Sequence, residues 1–184
     1  MKPILSAVII GAASLTQATV IDTFPDWDGN TTFGWDYVAQ SFTAPTDSML
    51  LSWTFGTANQ GNLGFDIVAW NNAYGPDSGS LYSTTVNATG GGVFTVSDIN
   101  LALAAGNLYA VVYHTDGVGS SIRYQVNQNS YNAGDASWAN NYNDWQYLNS
   151  NYNTQFRAEF GPVPEPTAFA VLGFGALLLL RRRR

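Results

Sequence analysis

Between residues 20 and 160 apolar and polar side chains alternate with period two, and no stripe of period 3.6 runs through the span. Leu63, Phe65, Ile67 and Ala69 alternate with Gly64, Asp66, Val68 and Trp70. Tyr109, Val111 and Tyr113 alternate with Leu108, Ala110 and Val112, and Phe156, Ala158 and Phe160 with Arg157 and Glu159. Ile122, Tyr124 and Val126 alternate with Arg123 and Gln125. The same rule puts Met49, Leu51, Trp53 and Phe55 on one face and Leu50, Ser52 and Thr54 on the other. Further strands are predicted at Val20–Phe24, Tyr37–Thr43, Leu81–Thr84 and Val93–Ser97. Turn clusters separate them at Ala44-Pro45-Thr46-Asp47, Asn59-Gln60-Gly61-Asn62, Gly75-Pro76-Asp77-Ser78-Gly79 and Gly90-Gly91-Gly92. About eight or nine short strands with such turns predict an all-β chain, an antiparallel β-sandwich with a jelly-roll-like strand order.

The two ends break this pattern. Residues 1–18, MKPILSAVIIGAASLTQA, carry Lys2, then an apolar run from Ile4 to Leu15, then Thr16 and Ala18 at the −3 and −1 positions of a cleavage site. That is the three-part layout of a secretory signal peptide. At the other end Thr167–Leu180 is fourteen residues without a charge, followed by Arg181, Arg182, Arg183 and Arg184. As a helix it covers about 21 Å of a hydrocarbon layer of roughly 30 Å, and Val163–Pro166 extends it to a marginal span. The arginines stay on the cytoplasmic side by the positive-inside tendency, which leaves the body outside, in agreement with the signal peptide. The predicted organisation is a signal at 1–18, a β domain at 19–162 and a tail at 163–184.

Val163-Pro164-Glu165-Pro166, a short hydrophobic helix and a terminal arginine cluster, in that order, resemble the PEP-CTERM sorting signal of bacterial exoproteins. The resemblance covers about 22 residues. It implies handling by exosortase, a membrane protease-transpeptidase, with transient retention at the inner membrane. Removal of the tail and release to the cell surface or the extracellular matrix follow, in a setting of extracellular polysaccharide and biofilm. It implies nothing about the activity of the body, because unrelated bodies carry the same signal. The body is similar in layout to secreted bacterial sandwich proteins, through Gln40-Ser41-Phe42-Thr43-Ala44-Pro45, Leu108-Tyr109-Ala110-Val111 and Gln155-Phe156-Arg157-Ala158-Glu159-Phe160.

Charge removes one class of partner. The formal net charge is −6, but Lys2 and the four terminal arginines lie outside the body. Residues 19–162 hold two cations, Arg123 and Arg157, against twelve acids, a net −10 without a lysine. No cationic patch is available to displace the counterions of a nucleic acid, so nucleic-acid binding is excluded. There are no cysteines, which removes disulfides, thiolate metal sites and cysteine nucleophiles.

The motifs for catalysis are thin. His114, the sole histidine, sits in Tyr113-His114-Thr115-Asp116 at a predicted strand end and reads as a rim residue. No G-x-S-x-G turn accompanies it. Glycoside hydrolysis needs two carboxyl groups across the scissile bond, and the body has one glutamate, Glu159, with aspartates such as Asp66 and Asp98 scattered. The expectation is a body that is not an enzyme, with a secreted polysaccharide hydrolase as the alternative. No cofactor is expected apart from a candidate calcium ion. Asp26, Asp28 and Asn30 place oxygen side chains at i, i+2 and i+4, with Asp36 within reach, although the loop departs from the EF-hand pattern.

The most unusual stretch is Asn127–Asn153, with nine asparagines, four tyrosines, two tryptophans and no cation. Flat rings beside amides suit the faces and hydroxyls of sugars, which makes Tyr131, Trp138, Tyr142, Trp145 and Tyr147 candidate carbohydrate-binding residues. The competing reading is a long loop and hairpin that folds Trp138 and Trp145 back over the sheets. The functional expectation is an exported matrix or cell-surface protein, structural or weakly carbohydrate-binding. A calcium-dependent sugar-binding module is a further alternative.

Overall fold

A computed structural model of the chain describes residues 18–26, 31–33, 35–46, 48–58, 61–71, 75–77, 79–115, 123–128, 131–147 and 152–163. In chain order the strands are β1 (Thr19–Asp22), β2 (Thr31–Phe33), β3 (Tyr37–Thr43), β4 (Met49–Thr57), β5 (Asn62–Asn71), β6 (Gly75–Pro76), β7 (Tyr82–Asn87) and β8 (Gly92–Val96). They continue with β9 (Leu101–Ala102), β10 (Leu108–His114), β11 (Arg123–Gln128), β12 (Ala136–Ala139), β13 (Gln146–Tyr147), β14 (Tyr152–Thr154) and β15 (Phe156–Gly161). One 3-10 turn, Phe24–Asp26, follows β1. Among the described residues no helix is long and apolar enough to cross a membrane. The expected signal segment apart from Ala18, and the tail from Pro164 to Arg184, lie outside the described residues.

The chain is all-β, and its strands form two antiparallel sheets. In the first, Trp53 of β4 pairs with Ala158 of β15 on one side and Val96 of β8 on the other, and β1 adds to the free edge of β15. In the second, β10 lies between β3 and β5, β7 flanks β5, and β12 flanks β3 and carries β13. The β7–β8 turn takes the chain from the second sheet to the first; Gly90 and Gly91 there adopt φ of 89° and 71°, where a side chain would be strained.

Both sheets contribute to one core. Leu50, Trp53, Phe55, Phe156 and Phe160 of the first sheet cluster with Val38, Phe42, Leu63, Phe65, Ile67, Val111 and Tyr113 of the second. Aromatic rings join the two: Phe42 and Trp53 have centroids 5.2 Å apart, and Phe55 and Tyr113 4.7 Å. The buried indole of Trp53 donates to the Tyr113 hydroxyl at 2.8 Å. Gln40, fully buried on β3, ties the sheets by polar bonds. Its Oε1 accepts from the Thr154 amide at 2.6 Å, and its Nε2 donates to Asn153 Oδ1 at 3.1 Å.

One alternation differs from the expectation. Glu159 pairs with Ser52 but Phe160 pairs with Leu50, so Leu51 is an extra residue at a β-bulge. Leu50 therefore points into the core with Trp53 and Phe55, and Leu51 does not. A bulge shifts the period by one, which a count of alternate residues misses.

The outer surfaces of the two sheets differ in kind. On the first, Arg157 meets Asp22 at 3.5 Å and Glu159 at 2.9 Å, Ser52 bonds Glu159 at 3.2 Å, and Thr54 bonds Thr95 at 2.8 Å. On the second, Ala39, Val68, Trp70, Ala110 and Val112 form a separate buried cluster, with Tyr37, Leu108 and Trp145 packed on it.

Candidate functional site

Alternation fixes which side chains reach the outer surface of the second sheet. Tyr37, Ala39 and Ser41 come from β3, Ala110, Val112 and His114 from β10, and Gly64, Asp66, Val68 and Trp70 from β5. The register then sets their neighbours. Tyr37, His114 and Gly64 lie in one row across three strands, and Ala39, Val112 and Asp66 in the next.

The imidazole of His114 lies over Gly64, where even a methyl group would collide with the ring. Its Nε2 is 3.0 Å from Asp66 Oδ2. The side chains of the pair are 20% and 13% exposed, so both are reached by solvent while most of their surface is covered. Tyr37 stacks beside the imidazole, with centroids 6.0 Å apart and planes at 28°.

The asparagine-rich segment supplies the remaining walls. β12 pairs with β3 and β13 with β12, and the turn between them carries Tyr142 and Trp145 onto this surface. The indole N–H of Trp145 donates to the Tyr142 carbonyl at 2.6 Å. Edge contacts join Trp145 to Trp70 at 5.0 Å and to Tyr37 at 6.2 Å, and Tyr142 to Tyr37 at 5.6 Å. Gly75 faces the Trp145 ring, with no space for a Cβ and with φ of 89°. Beneath it, Trp70 is 5% exposed, and its Nε1 has no acceptor among the described residues. Burial raises the Tyr142 phenol above its ordinary pKa, and the negative charge of Asp66 and the proximity of Tyr37 push it the same way. A carboxylate, an imidazole and three half-exposed rings therefore share one patch. Such a patch accepts and donates hydrogen bonds beside apolar faces.

Of the five expected sugar-contacting residues, the structure brings Tyr142 and Trp145 together. Trp138 lies apart, stacked on Trp35 at 4.5 Å with planes at 20°. Tyr131 packs its ring edge on Phe156 at 5.5 Å, and its hydroxyl accepts from the Thr43 amide at 3.3 Å. Tyr147 pairs in register with Ser137. No sequence signal marks Tyr37 or Trp70 as part of a site, and Asp66 stands out there only as one of the scattered aspartates weighed for a carboxyl pair. The sequence places each on its strand but does not reveal their convergence. His114 is at a strand end as expected, but its carboxylate partner comes from β5, 48 positions earlier. Asp116 lies outside the described residues. Asp98 accepts from Ser97 in the turn after β8 and is not joined to Asp66.

The candidate calcium loop falls largely outside the described residues, which include Asp26 and Asp36 but not Asp28 or Asn30. Among the described residues no group of three or more His, Cys, Asp or Glu side chains is placed to hold a metal ion. Of the sorting motif only Val163 is described, and it is 42% exposed.

Fold and surface together define an all-β protein of two antiparallel sheets with an aromatic, histidine–carboxylate patch on one outer surface. No protein-family model and no curated protein sequence matches the chain. Solved structures do share the fold. One is the clostridial cysteine protease Cwp84 after propeptide cleavage, with a TM-score of 0.59 and 12% identity over 79% of this chain and 40% of that one. Another comprises the cysteine protease and lectin-like domains of Cwp84, a surface-layer-associated protein of Clostridium difficile, with a TM-score of 0.53 and 13% identity over 74% and 37%. This chain thus matches about two fifths of the length of those chains.

These matches correct one expectation. The body was expected not to be an enzyme, for want of a catalytic motif. Both solved chains are those of a cysteine protease, so the fold occurs within the chain of an enzyme. An all-β body without a recognisable motif is therefore no ground for excluding activity. At this identity the likeness concerns the fold alone. With no cysteine, this chain lacks the nucleophile that a cysteine protease uses.

Proposed function

We propose that this is an exported, cell-surface or matrix protein whose β domain binds extracellular polysaccharide through the outer surface of its second sheet. The observation that carries the reading is the gathering of Tyr37, Tyr142 and Trp145 around Asp66 and His114. The opposite outer surface is laced with ion pairs and hydroxyls, and no comparable group occurs there among the described residues. One solved neighbour contains a lectin-like domain and is surface-layer associated, which supports both halves of the proposal. In this reading the two sheets pack face to face as a sandwich. The strand orders β1-β15-β4-β8 and β3-β10-β5-β7 support a jelly roll, because they interleave two Greek keys.

Delivery follows from the ends: a signal peptide at 1–18, then a PEP-CTERM-like tail held transiently in the inner membrane and processed by an exosortase-type protease. The polysaccharide reading is tested by titrating the purified protein with soluble glucans and galactans while following tryptophan fluorescence. A saturable change that is lost in Trp145→Ala is expected. A flat response across the panel, or an unaltered one in Trp145→Ala, would reject it.

A further inference from the structure

We infer that the Asp66–His114 pair makes this patch selective for neutral, hydroxyl-rich glycans over anionic ones. The inference rests on the polysaccharide-binding reading and adds the class of sugar to it.

Three observations carry it. The first is a seat made for the imidazole. Gly64 lies inside β5 without a left-handed φ, so the backbone does not call for glycine there. Glycine weakens a strand interior and often marks a close approach. What approaches is the His114 ring, which occupies the space of the missing Cβ and is held flat between Gly64, Asp66 and Tyr37. Gly75 also leaves room for the Trp145 ring, although its φ of 89° favours glycine by itself. Two polar-edged rings are thus seated on glycines within one patch.

The second is what the seated pair presents. An oxygen acceptor and a ring nitrogen stand 3.0 Å apart and remain partly exposed, beside the rings of Tyr37, Tyr142 and Trp145. Neighbouring hydroxyls of a pyranose are each donor and acceptor, so a diol can bond Asp66 while the apolar face of the ring lies on the aromatic wall.

The third is charge. The body carries −10, its two cations are Arg123 and Arg157, and Arg157 is engaged by Asp22 and Glu159 on the other sheet. The Asp66 charge is felt at the Tyr142 hydroxyl. A uronate or sulfate brought to the patch meets the Asp66 carboxylate within a body of net −10, and like charges repel.

The test compares a soluble β-glucan, a galactomannan and polygalacturonate by titration calorimetry on the full chain. Variants are Asp66→Asn, Gly64→Ala and Trp145→Ala, with Arg157→Ala on the opposite surface as control. The expected result is binding of a neutral polymer, no binding of polygalacturonate, and roughly tenfold weaker neutral binding in Asp66→Asn and Gly64→Ala. Asp66→Asn keeps the shape and removes the charge; if Gly64→Ala does not fold, that isostere decides. Neutral binding unchanged in Asp66→Asn, or polygalacturonate bound more tightly than either neutral polymer, overturns the selectivity while leaving the aromatic patch in place. Binding that survives Trp145→Ala removes the patch itself.

Discussion

Tyr113 shows how much one buried hydroxyl carries. It is 2% exposed and accepts the indole proton of Trp53 from the other sheet. Burial raises its phenol pKa well above the ordinary value, and the Trp53 bond opposes this only in part. The fold therefore favours the protonated form. That stability is fully present below about pH 10, where an unfolded tyrosine keeps its proton, and is lost as pH climbs. Tyr131 is shifted in the same direction by burial. Thermal melts should thus fall above about pH 10, and Tyr113→Phe should make the alkaline decline shallower. At neutral pH the same variant strands the Trp53 N–H, at a cost of about 1–3 kcal/mol by urea unfolding. His114 illustrates the opposite limit of legibility. A strand-end histidine can be read from Tyr113-His114-Thr115, whereas its contact with Asp66 depends on β10 and β5 being neighbours in one register. Gly64→Ala should displace the imidazole, visible as a shifted His114 ring resonance by NMR, with the sheet retained by circular dichroism.

At the scale of elements, the expected strand Tyr37–Thr43 is β3 itself, and the alternating sets expected in β5, β10 and β15 fall within strands of the structure, which decides which set faces the core. It failed at β4, because the bulge at Leu51 adds a residue that no composition signal marks. For the asparagine-rich segment two readings compete in the sequence, a sugar-contacting surface and a long loop and hairpin. It forms the β12–β13 hairpin and the short β14, with Trp138 and Trp145 set in different environments. Low β propensity of asparagine hides such strands, which pairing with β3 and β11 stabilises. β14 and β3 are joined through Gln40, whose amide meets Thr154, Asn153 and the Ser41 carbonyl without access to water. Gln40→Leu should leave the Thr154 amide unpaired and cost about 1–3 kcal/mol, read as a lower urea midpoint with an unchanged m-value.

Across the whole molecule the two outer surfaces differ in chemistry, one carrying ion pairs and the other an aromatic cluster. The charges of the ion-paired surface are exposed: the Arg157 side chain is 45% and that of Glu159 40% accessible. Arg157→Ala should change stability by no more than about 1 kcal/mol and leave glycan binding untouched, in contrast to Trp145→Ala. The sorting proposal concerns the chain with its tail. Replacing Pro164, Glu165 and Pro166 together by alanine should keep the protein in the membrane fraction of its host; unchanged release into the medium would count against the sorting proposal.

The sequence by itself determined the all-β class, most strand faces, the anionic, lysine-free body and the exclusion of thiol chemistry. All of these depend on local periodicity or on composition, which survive without knowledge of distant neighbours. Only the tertiary structure decided that Gly64, Asp66 and His114 meet, that Tyr37 closes over them, and that Trp145 joins the patch while Trp138 does not. Those contacts link residues that are tens of positions apart. They exist because antiparallel pairing in a fixed register brings one outward face of β3, β5 and β10 together under the β12–β13 hairpin.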